Sequence, residues 1–188
     1  MAKPKLVLIG ASTGGPGHLE KILSALPKEY KNTIIIAQHM DTVFMPSLVK
    51  RFDEQIFLDT LIAKDNSLIK TNTVTFADCK FSKLEHSTTK GLFISDSNLN
   101  SPYLPSIDSL FNSALNITKH FDILACLLTG IGDDGSSAIV ELHKQGTKCI
   151  IEDESSCIVY GMPRVAHELD NSLEQLRLED IIQKIKDF

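Results

Sequence analysis

The sequence contains neither a long apolar run nor a dense cluster of basic residues. No apolar stretch approaches the roughly 20 residues that a membrane-spanning helix needs, and the N-terminus leads into a predicted strand without the apolar segment of a signal peptide. Acidic residues outnumber lysine and arginine, which leaves a net charge of −5 at pH 7. Nucleic-acid binding requires a basic face, so this composition argues against it. We therefore expect a cytoplasmic protein that neither enters a membrane nor binds nucleic acid.

Cysteine is scarce and is not arranged for metal or disulfide chemistry. The four cysteines include no C-x-x-C pair, and Cys126 and Cys149 lie within apolar runs, where cysteine behaves as a small hydrophobic residue. We expect reduced structural thiols, without a disulfide framework or a metal site. The dinucleotide-binding pattern G-x-G-x-x-G is also missing, because Ser12 occupies the position of its second glycine. We therefore expect no cofactor.

The N-terminal region does contain a buried strand that ends in a glycine-rich turn. Residues 6–9 are four consecutive apolar residues, and a helical apolar pattern follows from about His18. Ser12 therefore lies on a tight strand-to-helix turn. Residues 10–14 match the G-x-S-x-G pattern of a nucleophile elbow, but such a turn also cradles phosphate in many proteins, and a Ser or Thr there can simply cap the helix. The motif alone leaves these three interpretations open.

Apolar runs and amphipathic patterns alternate along the rest of the chain. Buried strands are predicted at 33–40, 121–129 and 148–152. Helices are predicted at 18–26, 44–52, 106–117, 136–145 and 178–185. Residues 58–95 are less regular and indicate short strands and hairpins, and residues 98–106 indicate a loop. The alternation predicts a single α/β domain with a mostly parallel, doubly wound sheet and helices on both faces.

Chemically versatile side chains follow three of the predicted strands. Ser12 follows the first strand, His39 closes the second, and Asp133 and Asp134 follow the third. Because carboxyl ends of parallel strands meet at one edge of a sheet, we expect these residues to lie together. A serine becomes a nucleophile when an imidazole takes its proton and a carboxylate orients the imidazole. Singly, each residue also fits an ordinary structural role, as a hydrogen-bonded histidine or a turn aspartate that caps a helix.

A metal-dependent hydrolase is a further possibility for the same residues. It would use His39, Asp41, Asp133 and Asp134 as ligands, but H-x-D alone is a weak metal signature.

Five motifs, in this order, resemble the catalytic domain of the chemotaxis receptor-glutamate methylesterase family, CheB. They are Ile9-Gly10-Ala11-Ser12-Thr13-Gly14-Gly15, Gln38-His39-Met40, Pro105-Ser106-Ile107-Asp108, residues 128–135 and residues 156–164. The resemblance extends over residues 5–185. It implies a parallel-sheet α/β domain that hydrolyses glutamyl methyl esters on the cytoplasmic domains of chemoreceptors to glutamate and methanol. It also implies possible deamidation of receptor glutamines.

The resemblance assigns roles to particular residues of this chain. It implies that Ser12 is the nucleophile, His39 the general base and Asp134 the carboxylate that orients the histidine. We expect backbone N–H groups near Thr13 and Ile131 to hold the oxyanion. The alternative from another class is a phosphate- or nucleotide-binding module built on the Ser12 turn.

The chain departs from the family pattern in several places. Residues 76–81 replace a Pro-Gly loop with a following histidine, Pro102-Tyr103-Leu104 stands where the family has basic residues, and Ile131 replaces a methionine. Family members often carry an N-terminal receiver domain, whereas the first strand here begins at Leu6. We expect residues 1–188 to form a methylesterase catalytic domain without a receiver domain.

Overall fold

A computed structural model describes residues 2–96 and 101–188, and its secondary structure alternates between strands and helices. The strands are β1 (Lys5–Ala11), β2 (Thr33–Gln38), β3 (Asp59–Ile62), β4 (Ser67–Leu68), β5 (Thr73–Phe76), β6 (Phe81–Ser87), β7 (Gly91–Asp96), β8 (Asp122–Leu127), β9 (Lys148–Glu152) and β10 (Glu174–Leu176). The helices are α1 (Gly15–Ser24), α2 (Met45–Gln55), α3 (Ile107–Ala114), α4 (Ser136–Lys144), α5 (Met162–Leu169) and α6 (Leu178–Asp187).

Seven strands form a central parallel sheet in the order β10-β9-β8-β1-β2-β5-β3. Side chains of β1 alternate between two cores: Leu6 and Leu8 pack on one face of the sheet, and Val7 and Ile9 pack on the other. A parallel strand covered on both faces is apolar at successive positions, which explains the unbroken run of β1. The predicted fold class is confirmed.

Among the described residues, three helices cover each face of the sheet. Helices α3, α4 and α5 contribute buried residues to the core that contains Leu6 and Leu8, whereas α1, α2 and α6 contribute to the core that contains Val7 and Ile9. Each helix presents apolar residues at helical spacing to the sheet, so burial of these stripes accounts for the layered arrangement. In the part of the chain that the structure describes, no helix has the length and apolar character needed to cross a membrane.

The less regular segment, residues 58–95, contributes to two sheets. Strands β3 and β5 extend the central sheet at its edge, and β4, β7 and β6 form a separate antiparallel sheet in that order. This small sheet packs against α3, since Leu84 and Ile94 lie in the same core as Phe111. The sequence predicted short strands here but not their division between two sheets. Of the predicted loop at 98–106, residues 98–100 lie outside the described residues.

One helix begins earlier than predicted, and another was not predicted. Helix α1 begins at Gly15 rather than near His18, because Gly14 adopts a left-handed conformation (φ 87°) and Pro16 lies in the first turn, where its missing N–H costs no hydrogen bond. Helix α5 also has proline in its first turn, at Pro163, and the sequence pattern did not identify it as a helix. Both prolines mark the beginning of a helix rather than a break.

Candidate active site

Ser12 and His39 lie side by side at the carboxyl edge of the central sheet. The last paired residues of β1 and β2 are Ala11 and Gln38, so the next residue on each strand lies at the same level. The His39 N–H donates a hydrogen bond to the Ala11 carbonyl at 2.9 Å, which extends the ladder by one step. Neighbouring strands are about 4.8 Å apart, so the two side chains leave adjacent backbones. On the other side of β1, the Ser12 N–H donates to the Thr129 carbonyl at 3.0 Å.

Gln38 joins the backbones of these two residues. Its buried side-chain amide donates to the Ser12 carbonyl at 2.9 Å and to the His39 carbonyl at 2.9 Å. One side chain therefore holds the ends of β1 and β2 in a fixed relation. The motif Gln38-His39-Met40 does not by itself reveal a role for Gln38, because nothing in the local pattern shows which backbone groups a buried amide will meet.

His39 makes a short hydrogen bond to Asp134. The distance between His39 Nε2 and Asp134 Oδ2 is 2.7 Å, and the two side chains are only 13% and 2% exposed. In serine proteases the carboxylate binds Nδ1 of the histidine and Nε2 serves the serine. Here the carboxylate binds Nε2, so Nδ1 is the nitrogen left for Ser12.

The third contact of the constellation, between Ser12 and His39, is not closed. Among residues 2–96 and 101–188, neither Ser12 Oγ nor His39 Nδ1 has a hydrogen-bond partner. Catalytic hydrogen bonds are often long in proteins without bound substrate and shorten when substrate binds, so the open contact is compatible with a nucleophile and base pair. His39 is thus hydrogen-bonded directly to Asp134, whereas it lies next to Ser12 because β1 and β2 are neighbouring strands.

The N-terminus of α3 binds the Asp134 carboxylate. Backbone N–H groups of Ile107 and Asp108 donate to it at 2.7 and 3.0 Å, and the Ser106 hydroxyl lies 3.5 Å away. Unpaired N–H groups and a partial positive charge make a helix N-terminus a favourable place for an anion. The Pro-Ser-Ile-Asp motif therefore supplies the donors that allow a buried carboxylate to face His39 without an arginine or lysine partner.

Asp108 accepts a hydrogen bond from the segment that carries Asp134. Its Oδ1 accepts from the Gly135 N–H at 3.1 Å, so α3 and the start of α4 are joined in both directions. Burial, reinforced by the nearby Asp134 carboxylate, raises the pKa of Asp108 to about 6. The folded protein therefore holds a proton on this carboxyl group at higher pH than an exposed aspartate would.

Thr129 connects the Ser12 turn to the loop after β9. Its hydroxyl donates to the Thr13 carbonyl at 2.9 Å and accepts from the Val159 N–H at 2.9 Å. Its own N–H donates to the fully buried carboxylate of Glu152 at 2.8 Å, and Glu152 in turn lies 3.2 Å from Nδ1 of His18 in α1. A buried carboxylate is costly unless its oxygens are hydrogen-bonded, and Glu152 has both the Thr129 N–H and the His18 ring as partners. None of these contacts was predicted.

The N–H groups expected to hold an oxyanion are available. Among the residues that the structure describes, no acceptor is bonded to the N–H of Thr13 or of Ile131. The Ile131 side chain is 62% exposed, so its identity has little influence on the position of its backbone. Replacement of the family's methionine by isoleucine therefore leaves this backbone donor in place.

The four residues of the metal-site alternative are not gathered into one ligand set. Asp41 accepts from the Val43 N–H at 2.9 Å within its own turn, and Asp133 accepts from the Tyr103 hydroxyl at 3.2 Å. Asp134 is already bound to His39 and to the start of α3. Within residues 2–96 and 101–188, no group of three or more His, Cys, Asp or Glu residues is arranged to hold a metal ion.

The carboxyl edge of this parallel sheet presents a serine, a histidine and a buried aspartate, the residue types that serine hydrolases combine. The CheB methylesterase family model matches residues 7–185, and the chain belongs to the CheB methylesterase family.

Individual relatives agree with this membership. The chain is 34% identical over 181 residues to a protein-glutamate methylesterase/protein-glutamine glutaminase of Saccharophagus degradans, covering 96% of this chain and 49% of that protein. It is 31% identical to the protein of the same description from Treponema pallidum, covering 98% of this chain and 46% of that protein. The chain thus spans about half the length of the curated relatives it matches.

A solved structure matches over nearly the whole chain. The crystal structure of the Thermotoga maritima CheB methylesterase catalytic domain superimposes with a TM-score of 0.87 and 31% sequence identity, covering 99% of each chain. The phosphate- or nucleotide-binding alternative is not favoured by these matches.

The close contact between Gly130 and Ser12 generates a prediction about the serine. A Cβ added at Gly130 would lie 2.6 Å from Ser12 Cβ and 2.5 Å from Met162 Cε, so Gly130→Ala must displace the serine or its neighbours. Displacements of about 1 Å can cost up to roughly 10²-fold in rate. We expect Gly130→Ala to label much more slowly than wild type with a serine-directed fluorophosphonate probe. Gly17→Ala, in open space, is the control, and equal labelling of both variants would refute the steric argument.

The raised pKa of Asp108 generates a prediction about stability. Because the folded state binds this proton more tightly than the unfolded chain does, the free energy of unfolding falls as pH rises from about 4 to about 6. Asp108→Asn removes the titrating group and therefore this loss of stability, and the asparagine side-chain oxygen can still accept the hydrogen bond from the Gly135 N–H. We expect the stability of the variant relative to wild type, measured by urea unfolding, to increase between about pH 4 and pH 6 and to stay constant above that range. The control is Asp65→Asn at an exposed site, and the same pH dependence in both variants would contradict the prediction.

Proposed function

We propose that residues 1–188 form the catalytic domain of a protein-glutamate methylesterase that uses Ser12, His39 and Asp134. The observation that carries the proposal is the 2.7 Å contact between His39 and a buried carboxylate, one strand away from a serine on a strand-to-helix turn. An imidazole oriented by a carboxylate beside a serine is the combination that activates a hydroxyl. The family and the names of the relatives supply the reaction class.

The proposed reaction begins with acyl transfer to Ser12. Ser12 Oγ attacks the carbonyl carbon of a glutamyl methyl ester while His39 Nδ1 takes the hydroxyl proton. The tetrahedral intermediate then expels methoxide, which leaves as methanol after receiving the proton from His39. Asp134 stabilises the imidazolium that exists between these two proton transfers and keeps the proton of the neutral ring on Nε2. The product of this half of the reaction is a glutamyl ester of Ser12.

The second half of the reaction regenerates the serine. Water attacks the glutamyl-Ser12 ester, His39 takes its proton, and the proton passes to Ser12 Oγ as the ester bond breaks. The receptor side chain is released as the carboxylic acid of glutamate, which then loses its proton to water. The free N–H groups of Thr13 and Ile131 are the proposed donors to the oxyanion in both tetrahedral intermediates, since donors fixed in advance need no reorganisation when the charge appears.

The proposed substrate is the methylated cytoplasmic domain of a chemoreceptor, which places the enzyme in the cytoplasm. Large apolar side chains on the loops after β2, β8 and β9 support a protein substrate rather than a small ester. They are Val43, Phe44, Ile131 and Ile158, each between 62% and 74% exposed. Ile158 packs beside the Ser12 turn, because a Cβ at Gly14 would contact it at 2.6 Å. Exposed apolar groups beside a reactive site are typical of a surface that another protein covers.

Deamidation of receptor glutamines is a second proposed activity of the same site. The relatives in Saccharophagus degradans and Treponema pallidum are named as both protein-glutamate methylesterases and protein-glutamine glutaminases. The same serine attack on a glutamine side chain would release ammonia in place of methanol and give the same glutamyl-Ser12 intermediate.

Removal of the nucleophile or the base tests the proposed mechanism. We expect Ser12→Ala and His39→Ala each to lower methanol release from methylated receptor by several orders of magnitude, and the double variant to be little worse than either single one. Unfolding curves close to wild type would show that the fold survives. Near wild-type turnover by a folded Ser12→Ala variant would overturn the mechanism, and activity that disappears in chelator would favour the metal-dependent alternative.

The neighbouring pair Asp133 and Asp134 provides a matched comparison. Asp134→Asn puts an amide against His39 Nε2 and favours the tautomer with its proton on Nδ1, which cannot accept the proton of Ser12. The equivalent change in a serine protease lowers kcat by roughly 10⁴-fold. Asp133→Asn keeps an oxygen for the Tyr103 hydroxyl and should retain most activity. Measured kcat/KM values that fall equally, or more for Asp133→Asn, would overturn the assignment of Asp134.

A further inference from the structure

Tyr103 covers one face of the His39 ring. The two rings are nearly parallel, with an interplanar angle of 5° and centroids 5.1 Å apart, which is the offset stacking that aromatic pairs favour. The contact joins two separate parts of the chain, because Tyr103 lies in the segment before α3 and His39 at the end of β2. Family resemblance does not predict it, since this segment is where the chain departs from the basic residues of the family.

The Tyr103 ring is itself held at its far end. Its hydroxyl donates to Asp133 Oδ1 at 3.2 Å, and a Cβ added at Gly132 would come within 2.8 Å of the same hydroxyl oxygen. Its N–H donates to the Ser101 hydroxyl at 3.1 Å. Burial, together with the Asp133 carboxylate, raises the pKa of the Tyr103 phenol, so the hydroxyl remains a donor. The ring is therefore braced between His39 and the loop that follows β8.

The hydrogen bond to Asp134 fixes the orientation of the His39 ring only in part. Asp134 holds Nε2, but a single hydrogen bond leaves the imidazole free to rotate about the line from that nitrogen to its own backbone attachment. Among the described residues Nδ1 has no partner that would stop this rotation. The Tyr103 ring, stacked on one face of the imidazole, opposes rotation of the imidazole toward that face. The hydrogen bond to Asp134 does not oppose this rotation.

We propose that Tyr103 is a positioning residue that fixes the plane of the His39 imidazole, with Asp133 as its anchor. The proposal rests on the proposed role of His39 as the base. When His39 takes the proton of Ser12 it becomes a cation, and a cation over an electron-rich ring is attracted to it. The stack therefore stabilises the transition state more than the ground state, so its loss lowers kcat rather than raising KM. It also assigns a role to Asp133, which accepts the hydrogen bond of the Tyr103 hydroxyl.

Three variants separate stacking from anchoring. Tyr103→Leu removes the aromatic face, Tyr103→Phe keeps the face and removes the hydroxyl, and Leu104→Ala changes a 42% exposed neighbour in the same segment. We expect Tyr103→Leu to lower kcat for methanol release roughly threefold to tenfold, the factor that a stacked aromatic pair represents, with KM unchanged. Tyr103→Phe should restore most of kcat, and Leu104→Ala should match wild type. A Tyr103→Leu variant with wild-type kcat, or an effect confined to KM, would overturn the proposal.

A second measurement does not depend on turnover. In protein labelled with ¹⁵N-histidine and carrying Ser12→Ala, the His39 ring protons should show the ring-current shift of a stacked aromatic, and the proton shared with Asp134 should exchange slowly with water. Tyr103→Leu should abolish the shift and speed the exchange, whereas Tyr103→Phe should change neither greatly. Unaltered shift and exchange in Tyr103→Leu would overturn the proposal. If wild type released no methanol but Tyr103→Leu altered both signals, the proposed function would fail while the positioning of the ring would stand.

Discussion

The parallel pairing of β1 with β2 on one side and β8 on the other is the constraint on which the site depends. It places the residues after the three strands at one edge and at one level, so that Ser12 lies between His39 and Thr129. A shift of one residue in either register would exchange the side chains that pack in the two cores, and closely packed cores accept such an exchange only with strain or voids. Packing of the two cores therefore places the backbones that carry Ser12 and His39 side by side, and the hydrogen bond from Asp134 then orients the His39 imidazole.

The electrostatic part of the site is provided by backbone rather than by opposite charge. The Asp134 carboxylate is 2% exposed, and it is stabilised by two N–H groups at the start of α3 and by His39. Burial of a carboxylate without such donors costs several kcal/mol, or leads to its protonation. Because α3 also packs in the core and against the small antiparallel sheet, the orientation of His39 is coupled to elements far from Ser12 in the sequence.

A second buried hydrogen-bond network holds the Ser12 turn in place. Glu152, at the end of β9, binds both His18 of α1 and the N–H of Thr129, while Thr129 binds the turn. Removal of one partner from such a buried hydrogen bond generally costs about 1–3 kcal/mol, because the other polar group is left unsatisfied. The carboxyl edge is thus supported by two carboxylates: one aligns the histidine, and the other holds the loop that contacts the serine.

The sequence by itself determined the fold class and which residues reach the carboxyl edge, because strand and helix periodicity is a local property that burial reinforces. Resemblance of motifs added the distinction between Asp133 and Asp134. Only the tertiary structure decided that Nε2 rather than Nδ1 of His39 faces the carboxylate, and that Tyr103 stacks on its ring. It also decided how the strands of residues 58–95 divide between two sheets. These features depend on side chains and edges that meet across long stretches of chain, where packing and the pairing of buried polar groups outweigh any local preference.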